Sequence, residues 1–208
     1  MSKNNDYLQQ VSDKETQIIL SLAEEILAEP TEGDFCEFGC YRGDTSLLLE
    51  KLLEQDAKTA LGNNQKSLWI YDSFEGLPEK TREDLSVAGD SFRAGELLVT
   101  KKEVIMRFKK AGLKVPRIRK GFFDQLDNSS ESHDLPDKIS FAFLDGDLYQ
   151  SIRTSLHLVT PRMSKGGIII VHDYNNPELP GVARAVDEWL QKISPTFSVR
   201  ETLAIIKM

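Results

Sequence analysis

The spacing of apolar residues divides the chain into alternating helical and strand-like segments. Helical spacing predicts helices over residues 13–29, 44–55, 100–112, 150–159 and from Pro180 onward. Short apolar runs predict strands over residues 34–39, 67–71, 115–120, 139–144 and 168–171. Because parallel strands need helical crossovers, this alternation predicts an α/β fold with a doubly wound, mostly parallel sheet. Two last strands, at residues 197–200 and 203–206, predict a C-terminal antiparallel pair that completes a seven-stranded sheet.

The length of 208 residues suits one domain over residues 1–208, with an N-terminal helix inside residues 1–30. Residues 78–100 have no clear period, and long irregular loops inside compact domains usually have a function. We therefore expect a lid or substrate loop there, with Phe92, Arg93 and Gly95 as its main contacts. A turn at residues 62–64 and a surface position for His133 complete the loop predictions.

The balance of 26 basic against 33 acidic residues gives a net charge of -7, which argues against a nucleic-acid partner. Cys36 and Cys40 lack metal-type spacing and suit reduced thiols. The beginning, Met1–Asp6, lacks an apolar signal core, and no later run has the length of a membrane span. These features predict a cytoplasmic protein that does not interact with membranes.

The first strand ends in the sequence Glu37-Phe-Gly39, and Gly43 precedes the next helix. A pyrophosphate fingerprint would contain three glycines, and a carboxylate here would repel phosphate. S-adenosylmethionine carries a sulfonium and an ammonium that favour an acidic lining. One alternative is that this segment is an ordinary turn without a ligand. A second is a nicotinamide-dependent oxidoreductase, which the missing third glycine disfavours.

The second and third strands end in residues that suit a nucleoside. Asp72 follows the second strand, where one carboxylate can accept hydrogen bonds from both ribose hydroxyls. Phe122 and Phe123 follow the third strand and can enclose an adenine ring. Turn formation by the acid and core packing by the aromatics are the commoner uses of these residue types.

Polar clusters follow the two most apolar strands: Asp145-Gly146-Asp147 after the fourth and His172-Asp173 after the fifth. If these strands are neighbours, about 4.8 Å apart, Asp145 and Asp173 meet at one edge of the sheet. A divalent cation would relieve their repulsion, and hard oxygen ligands suit magnesium or manganese. Helix capping or solvent exposure is the alternative for each acid.

Several motifs together resemble the macrocin O-methyltransferase family of S-adenosylmethionine-dependent enzymes, whose sheet is of the Rossmann-like methyltransferase type. They are Glu37-Phe-Gly-Cys-Tyr41-Arg-Gly43, Asp72-Ser73-Phe-Glu-Gly-Leu-Pro78, Phe92-Arg-Ala-Gly95, Gly121-Phe122-Phe123, Asp145-Gly-Asp-Leu-Tyr149, and Gly166-Gly167 through Asp173-Tyr174. The resemblance covers roughly residues 34 to 190. It implies a metal-assisted O-methyltransferase that acts on a hydroxyl of a small molecule, such as a sugar or phenol of a secondary metabolite.

The resemblance also implies roles for particular residues. Glu37, Gly39 and Tyr41 would face the methionine and ribose side of the cofactor, Asp72 the ribose and Phe122 the adenine. Gly43 and Ser73, which lie in the same motifs, complete the candidate cofactor-binding set together with Asp145. Asp145 would be a metal ligand and the general base, with Asp173 as a second ligand.

His172 stands where the family usually has an acid. It can be a third ligand to a softer ion such as manganese, iron or zinc, with Asp147 or water completing the coordination. It can also serve as a general base, or leave the site without metal. A cofactor-binding protein without catalysis and a metal-independent methyltransferase thus stay open as alternatives, as does a homodimer.

Overall fold

The computed structural model describes residues 10–58, 66–89, 91–126, 134–193 and 195–208. The turn expected at residues 62–64 and the position of His133 lie outside these ranges. Within them the chain forms five α-helices, three short 3₁₀ helices and seven strands. In chain order the α-helices and strands are α1 (Asp13–Ala28), β1 (Asp34–Phe38), α2 (Asp44–Asp56), β2 (Leu68–Asp72), α3 (Lys101–Ala111), β3 (Arg117–Lys120), β4 (Ile139–Leu144), α4 (Tyr149–Val159), β5 (Met163–Val171), α5 (Pro180–Leu190), β6 (Thr196–Arg200) and β7 (Leu203–Lys207).

The strands form one sheet in the order β3-β2-β1-β4-β5-β7-β6. Strands β1 to β5 pair in parallel, and β7 runs antiparallel to both β5 and β6. The predicted fold class is therefore confirmed, including the C-terminal antiparallel pair. The strand order reverses between β1 and β4, which is the place where open α/β sheets bind ligands.

Helices cover both faces of the sheet. On one face Ile19 of α1, Leu49 of α2 and Phe108 of α3 belong to a single apolar cluster. On the other face Ile152 of α4 and Val186 of α5 belong to a second cluster. None of the helices in the described ranges is long and apolar enough to cross a membrane.

The predicted start of α3 at a capping box is confirmed. Thr100 Oγ1 accepts a hydrogen bond from Glu103 N at 3.2 Å, and Glu103 Oε2 accepts one from Thr100 N at 2.8 Å. Helix α1 begins with the same arrangement, between Ser12 and Glu15. Such reciprocal bonds satisfy amide groups that the first helical turn leaves unpaired.

The boundaries predicted for β5 were wrong. Gly166 and Gly167 were expected to precede the strand, but β5 begins at Met163 and contains both. The reason is pairing at the end of the chain: Gly166 N donates to Met208 O at 2.8 Å, and Met208 N donates to Gly167 O at 2.9 Å. Glycine is needed at position 167, because a Cβ would lie 2.9 Å from the backbone oxygen of Ser164.

Candidate active site

A cavity of about 320 Å³ opens at the carboxyl ends of the parallel strands, beside the point where the strand order reverses. Its size falls in the lower part of the usual range for small-molecule sites. The predicted site residues that line it are Gly39, Tyr41, Asp72, Ser73, Phe122 and Asp145. Glu37, Gly43, His172 and Asp173 are not among its lining residues.

Asp72 joins the turns that follow β1 and β2. Its Oδ2 accepts hydrogen bonds from Cys40 N at 2.9 Å and from Tyr41 N at 3.1 Å. Its Oδ1 accepts one from Phe74 N at 2.8 Å. A carboxylate offers about four acceptor positions. The structure therefore leaves room for one further hydrogen bond, whereas the sequence suggested that this carboxylate could serve two ribose hydroxyls.

Gly39 allows the ends of β1 and β4 to lie close together. It has a φ of +87°, and a Cβ at this position would clash with the backbone carbonyl oxygen of Asp145. Gly39 N donates to Tyr71 O at 2.8 Å, which fixes the turn against β2. Only glycine combines this φ with this approach, so the backbone at the bottom of the cavity depends on it.

Glu37 lies behind the cavity wall rather than on it. Its side chain is 1% exposed, and it accepts a hydrogen bond from Ser46 Oγ. Burial, assisted by the charges of Asp145 and Asp72, raises the pKa of Glu37 to about 8, although the Ser46 bond opposes this. Glu37, whose charge suggested a cation-binding pocket, is therefore mostly neutral near pH 7. It lies behind the wall and is not in direct contact with the cavity.

Gly43 and Ser73 have local structural roles. Gly43 has a φ of +79° at the start of α2, and its N donates to Cys40 O at 2.6 Å. The hydroxyl of Ser73 donates to Gly76 O at 2.8 Å and accepts from Glu75 N at 3.1 Å. Ser73 still lines the cavity, whereas Gly43 shapes the turn from outside it.

Two aromatic residues form one side of the cavity. Phe122 and Phe123 both line it, as the sequence predicts. The ring of Phe123 packs edge-on against Phe38 with centroids 5.3 Å apart, and Phe38 stacks on Tyr71 at 4.4 Å. Core aromatics therefore hold Phe123 in place, while Phe122 is half-buried at the wall.

Different residues of the loop 78–100 reach the cavity than the sequence suggested. Its lining residues are Pro78, Glu79, Thr81 and Leu97, whereas Phe92, Arg93 and Gly95 are not among them. Phe92 instead packs against the apolar cluster on the α4 and α5 face. The loop also contains a buried acid that sequence reasoning missed: Asp84 is 1% exposed and accepts a hydrogen bond from Tyr149 N at 2.6 Å.

A cluster of three potential metal ligands lies next to the cavity. Asp145, His172 and Asp173 each offer one ligand atom, and these atoms lie within 4.8 Å of one another. His172 Nδ1 is 2.8 Å from Asp145 Oδ1 and 3.2 Å from Asp173 Oδ2. The prediction that the ends of β4 and β5 bring Asp145 and Asp173 together is thus confirmed.

Helix α1 adds a third carboxylate to this cluster. Glu15 Oε1 lies 3.8 Å from His172 Nε2, and the two side chains are 7% and 4% exposed. The nearby imidazole of His172 lowers the pKa of Glu15 most, and hydrogen bonds from Ser12 and Thr202 act the same way, so together they outweigh burial. Glu15 was not identified as a site residue from the sequence. An acid three residues after Ser12 is typical of a helix start and gives no sign of a role at the site.

The surrounding carboxylates favour positive charge at the position of His172. Burial alone would lower the pKa of the ring, but the charge of Asp145 and hydrogen bonds to the facing carboxylates raise it well above its usual value. A proton on the ring or a bound cation would each supply this positive charge. Burial and the neighbouring acids also raise the pKa of Asp147, which lines the cavity.

The donor set of the cluster fits a divalent cation. Adjacent ligand atoms around an ion with bonds of about 2.1 Å lie roughly 3 Å apart. The separations of His172 Nδ1 from the two aspartates, 2.8 and 3.2 Å, match this spacing. Asp147 was a candidate for a further ligand, but among the described residues the cluster has only the other three members.

The chain has clear relatives among known proteins. Residues 10–200 match the model of a family described as Macrocin-O-methyltransferase (TylF). The chain is 32% identical over 157 residues to the 8-demethyl-8-(2,3-dimethoxy-alpha-L-rhamnosyl)-tetracenomycin-C 4'-O-methyltransferase of Streptomyces olivaceus, a match that covers 73% of this chain and 56% of that protein. It is 30% identical over 187 residues to the demethyldecarbamoylnovobiocin O-methyltransferase of Streptomyces niveus, over 86% of this chain and 66% of the relative. The chain thus spans about 56 to 66% of the length of these relatives.

Solved structures agree with this relationship. The O-methyltransferase NovP superposes with a TM-score of 0.76 at 25% identity, covering 93% of this chain and 79% of that one. The calicheamicin methyltransferase CalS11 superposes with a TM-score of 0.71 over 95% of this chain and 80% of that one. At 19% identity, the second match shows the shared fold.

Proposed function

Because the chain belongs to the macrocin O-methyltransferase family, we propose that it transfers a methyl group from S-adenosylmethionine to a hydroxyl oxygen of a small molecule. The observation that carries this proposal is the cavity where the sheet order reverses. The turns after β1, β2 and β4 line this cavity, and a cluster of two aspartates and a histidine lies beside it. A cofactor site and an acid-rich catalytic site are thus neighbours.

In this proposal the cofactor lies along the wall formed by Gly39, Tyr41, Asp72 and Phe122. Asp72 retains one acceptor position, so it binds one ribose hydroxyl while its other bonds keep the two turns together. Phe122 stacks on the adenine ring at its end of this wall. The methyl group is already activated on its sulfonium, so the protein mainly has to align it with the acceptor.

Asp145 is the residue best placed to act as the general base. Its side chain is 17% exposed and lines the cavity, whereas His172 behind it is 4% exposed and does not. Asp145 therefore accepts the proton of the acceptor hydroxyl as the oxygen forms its bond to the methyl carbon and the carbon–sulfur bond breaks. The same placement disfavours His172 as the group that contacts the acceptor.

We include a divalent cation held by Asp145, His172 and Asp173 in this proposal. When bound, such an ion polarises a coordinated hydroxyl and lowers its pKa. The three side chains would orient the ion, and through it the acceptor, towards the methyl group. Burial of His172 and Asp173 favours retention of a bound ion, because both are already removed from water.

The acceptor in this proposal is a sugar or phenolic hydroxyl of a secondary metabolite. The relatives carry names of O-methyltransferases of a rhamnosyl tetracenomycin, of demethyldecarbamoylnovobiocin and of mycinamicin III. The loop 78–100 contributes Glu79, Thr81 and Leu97 to the cavity, and we propose that it covers the acceptor as a lid. Its mixture of polar and apolar side chains suits a glycosylated aromatic molecule.

Calorimetric titration of S-adenosylmethionine and S-adenosylhomocysteine into the purified chain tests the first half of the proposal. Transfer of an isotopically labelled methyl group to a panel of rhamnosides and phenols tests the second half. We expect saturable binding of both cofactors and incorporation of label into at least one acceptor. Failure of the cofactors to bind would overturn the proposed function, whereas binding without transfer to any acceptor would favour a cofactor-binding protein.

A further inference from the structure

Glu15 is the one acid of helix α1 that reaches the metal-ligand cluster among the described residues. Its carboxylate is held in place on several sides. Oε2 accepts hydrogen bonds from Ser12 N at 2.9 Å and from Ser12 Oγ at 2.6 Å. Oε1 accepts from Thr202 N at 3.3 Å and also from the Thr202 hydroxyl. The carboxylate is therefore positioned before any ligand binds, by groups from the start of α1 and from the turn between β6 and β7.

Glu15 and the two aspartates approach the imidazole of His172 from opposite sides. Oε1 of Glu15 faces Nε2 at 3.8 Å, while Nδ1 faces Asp145 and Asp173. With a cation bound between Nδ1 and the aspartates, the carboxylate beside Nε2 favours the tautomer with hydrogen on Nε2. The lone pair of Nδ1 then points between the two aspartates. Histidines that bind metals are commonly oriented in this way, by an acceptor for the other ring nitrogen.

We propose that Glu15 is a positioning residue that presents His172 Nδ1 as a nitrogen ligand, so that the site prefers manganese to magnesium. This inference rests on the divalent cation in the proposed function. A set of one nitrogen and two carboxylate oxygens binds first-row transition ions better than magnesium, because magnesium prefers oxygen ligands and retains its water. The histidine that departs from the family pattern therefore changes the choice of ion rather than removing the site.

The test is binding of Mn²⁺ and Mg²⁺ alone to the metal-stripped full chain, by calorimetry and by the loss of the free Mn²⁺ electron paramagnetic resonance signal. We expect the wild-type chain to bind Mn²⁺ at least about tenfold more tightly than Mg²⁺. Glu15→Gln should weaken Mn²⁺ binding by about 10- to 100-fold. Glu24→Gln, an exposed position on the same helix, is the matched control and should bind like the wild-type chain.

A double-mutant cycle separates positioning from general damage to the fold. In a His172→Ala background, Glu15→Gln should cause no further loss of Mn²⁺ affinity, because the ligand that it orients is gone. Equal losses in both backgrounds would overturn the positioning role. So would equal affinity of the wild-type chain for the two ions, or binding of neither, which would favour a protonated His172 held between the carboxylates. Cofactor binding and methyl transfer are measured separately, so an active, metal-independent enzyme would sink this inference and the cation in the proposed function, while the proposed methyl transfer from S-adenosylmethionine would stand.

Discussion

At the residue scale, the acids of the site fall into two groups: those that line the cavity and those that lie behind its wall. Asp145 lines the cavity, Glu37 is enclosed behind the wall and Glu15 supports His172 from outside. All three are carboxylates, but their surroundings give them different tasks. Asp145 exchanges protons with the acceptor in the proposed mechanism, whereas Glu37 keeps its own proton because burial disfavours its charge.

Replacing Asp145 by Asn tests its role as the base. We expect the turnover rate to fall by about 100-fold or more, since a positioned general base typically contributes 10² to 10⁴. The affinity for S-adenosylhomocysteine should change by less than about threefold, because the cofactor wall stays in place. Asp124→Asn, an exposed acid at the same cavity, serves as the control and should keep nearly full turnover. Unchanged turnover in Asp145→Asn would sink the assignment.

The raised pKa of Glu37, about 8, predicts a stability that falls as the pH rises. The folded state retains the proton, while the unfolded state releases it near the ordinary value of 4.5. The stabilising contribution is therefore fully present below about pH 4.5 and is lost as the pH approaches 8. Glu37→Gln keeps a neutral group at every pH. We expect this variant to be more stable than the wild-type chain at pH 8, by roughly 2–4 kcal/mol.

Urea unfolding at pH 4.5 and pH 8 measures this difference. At pH 4.5 the variant and the wild-type chain should differ much less, because Glu37 is protonated in the folded state and about half protonated in the unfolded state. Glu24→Gln provides the exposed control and should follow the wild-type pH dependence. A variant whose advantage is the same at both pH values would contradict the buried, protonated state of Glu37.

At the element scale, the buried acid Asp84 helps to fasten the loop 78–100 to the start of α4. Asp84 Oδ1 accepts a hydrogen bond from Tyr149 N at the first residue of α4, and its Oδ2 accepts from Thr81 N at 2.9 Å and Thr81 Oγ1 at 2.8 Å. Gly181 lies so close that a Cβ there would clash with Asp84. The negative charge also suits the amino-terminal end of α4. The loop is therefore anchored in its first third, which limits how far that part can open.

Asp84→Ala should loosen this loop. We expect a loss of about 1–2 kcal/mol in the free energy of unfolding, since the first amide of α4 loses its acceptor. Trypsin should cleave faster after Lys80 and Arg82, because the segment opens more often. Val87→Ala, at an exposed position of the same loop, should alter neither quantity. Cleavage at the wild-type rate in Asp84→Ala would show that the anchor lies elsewhere.

Elements with a strong local signal could be predicted closely. The helix predicted over residues 13–29 extends over Asp13–Ala28, and the capping box at Thr100 marks the start of α3. The strand predicted over residues 168–171 was too short, because its first half is stabilised by pairing with the end of the chain. That pairing joins residues far apart in sequence, so periodicity near Gly166 carries no sign of it.

At the scale of the whole molecule, a cofactor that binds only the folded chain must stabilise it. S-adenosylhomocysteine at 100 times its dissociation constant should raise the free energy of unfolding by about 2.7 kcal/mol. The melting temperature should rise with the cofactor concentration. NAD at the same concentration should have no effect, because the turn after β1 lacks the third glycine of a pyrophosphate site. A shift with NAD and none with S-adenosylhomocysteine would reverse the choice of cofactor.

The order of apolar strands and helices was enough to predict the fold class, because alternating elements with buried strands have few ways to pack. It also placed Gly39, Asp72 and Asp145 at the cavity, since residues at the carboxyl ends of parallel strands share one edge of the sheet. Neither the burial of Glu37 nor the approach of Glu15 to His172 could be predicted from the order of strands and helices. Both depend on how helices pack over the sheet, and that packing decides which acids are charged, which are neutral and which reach the ligand.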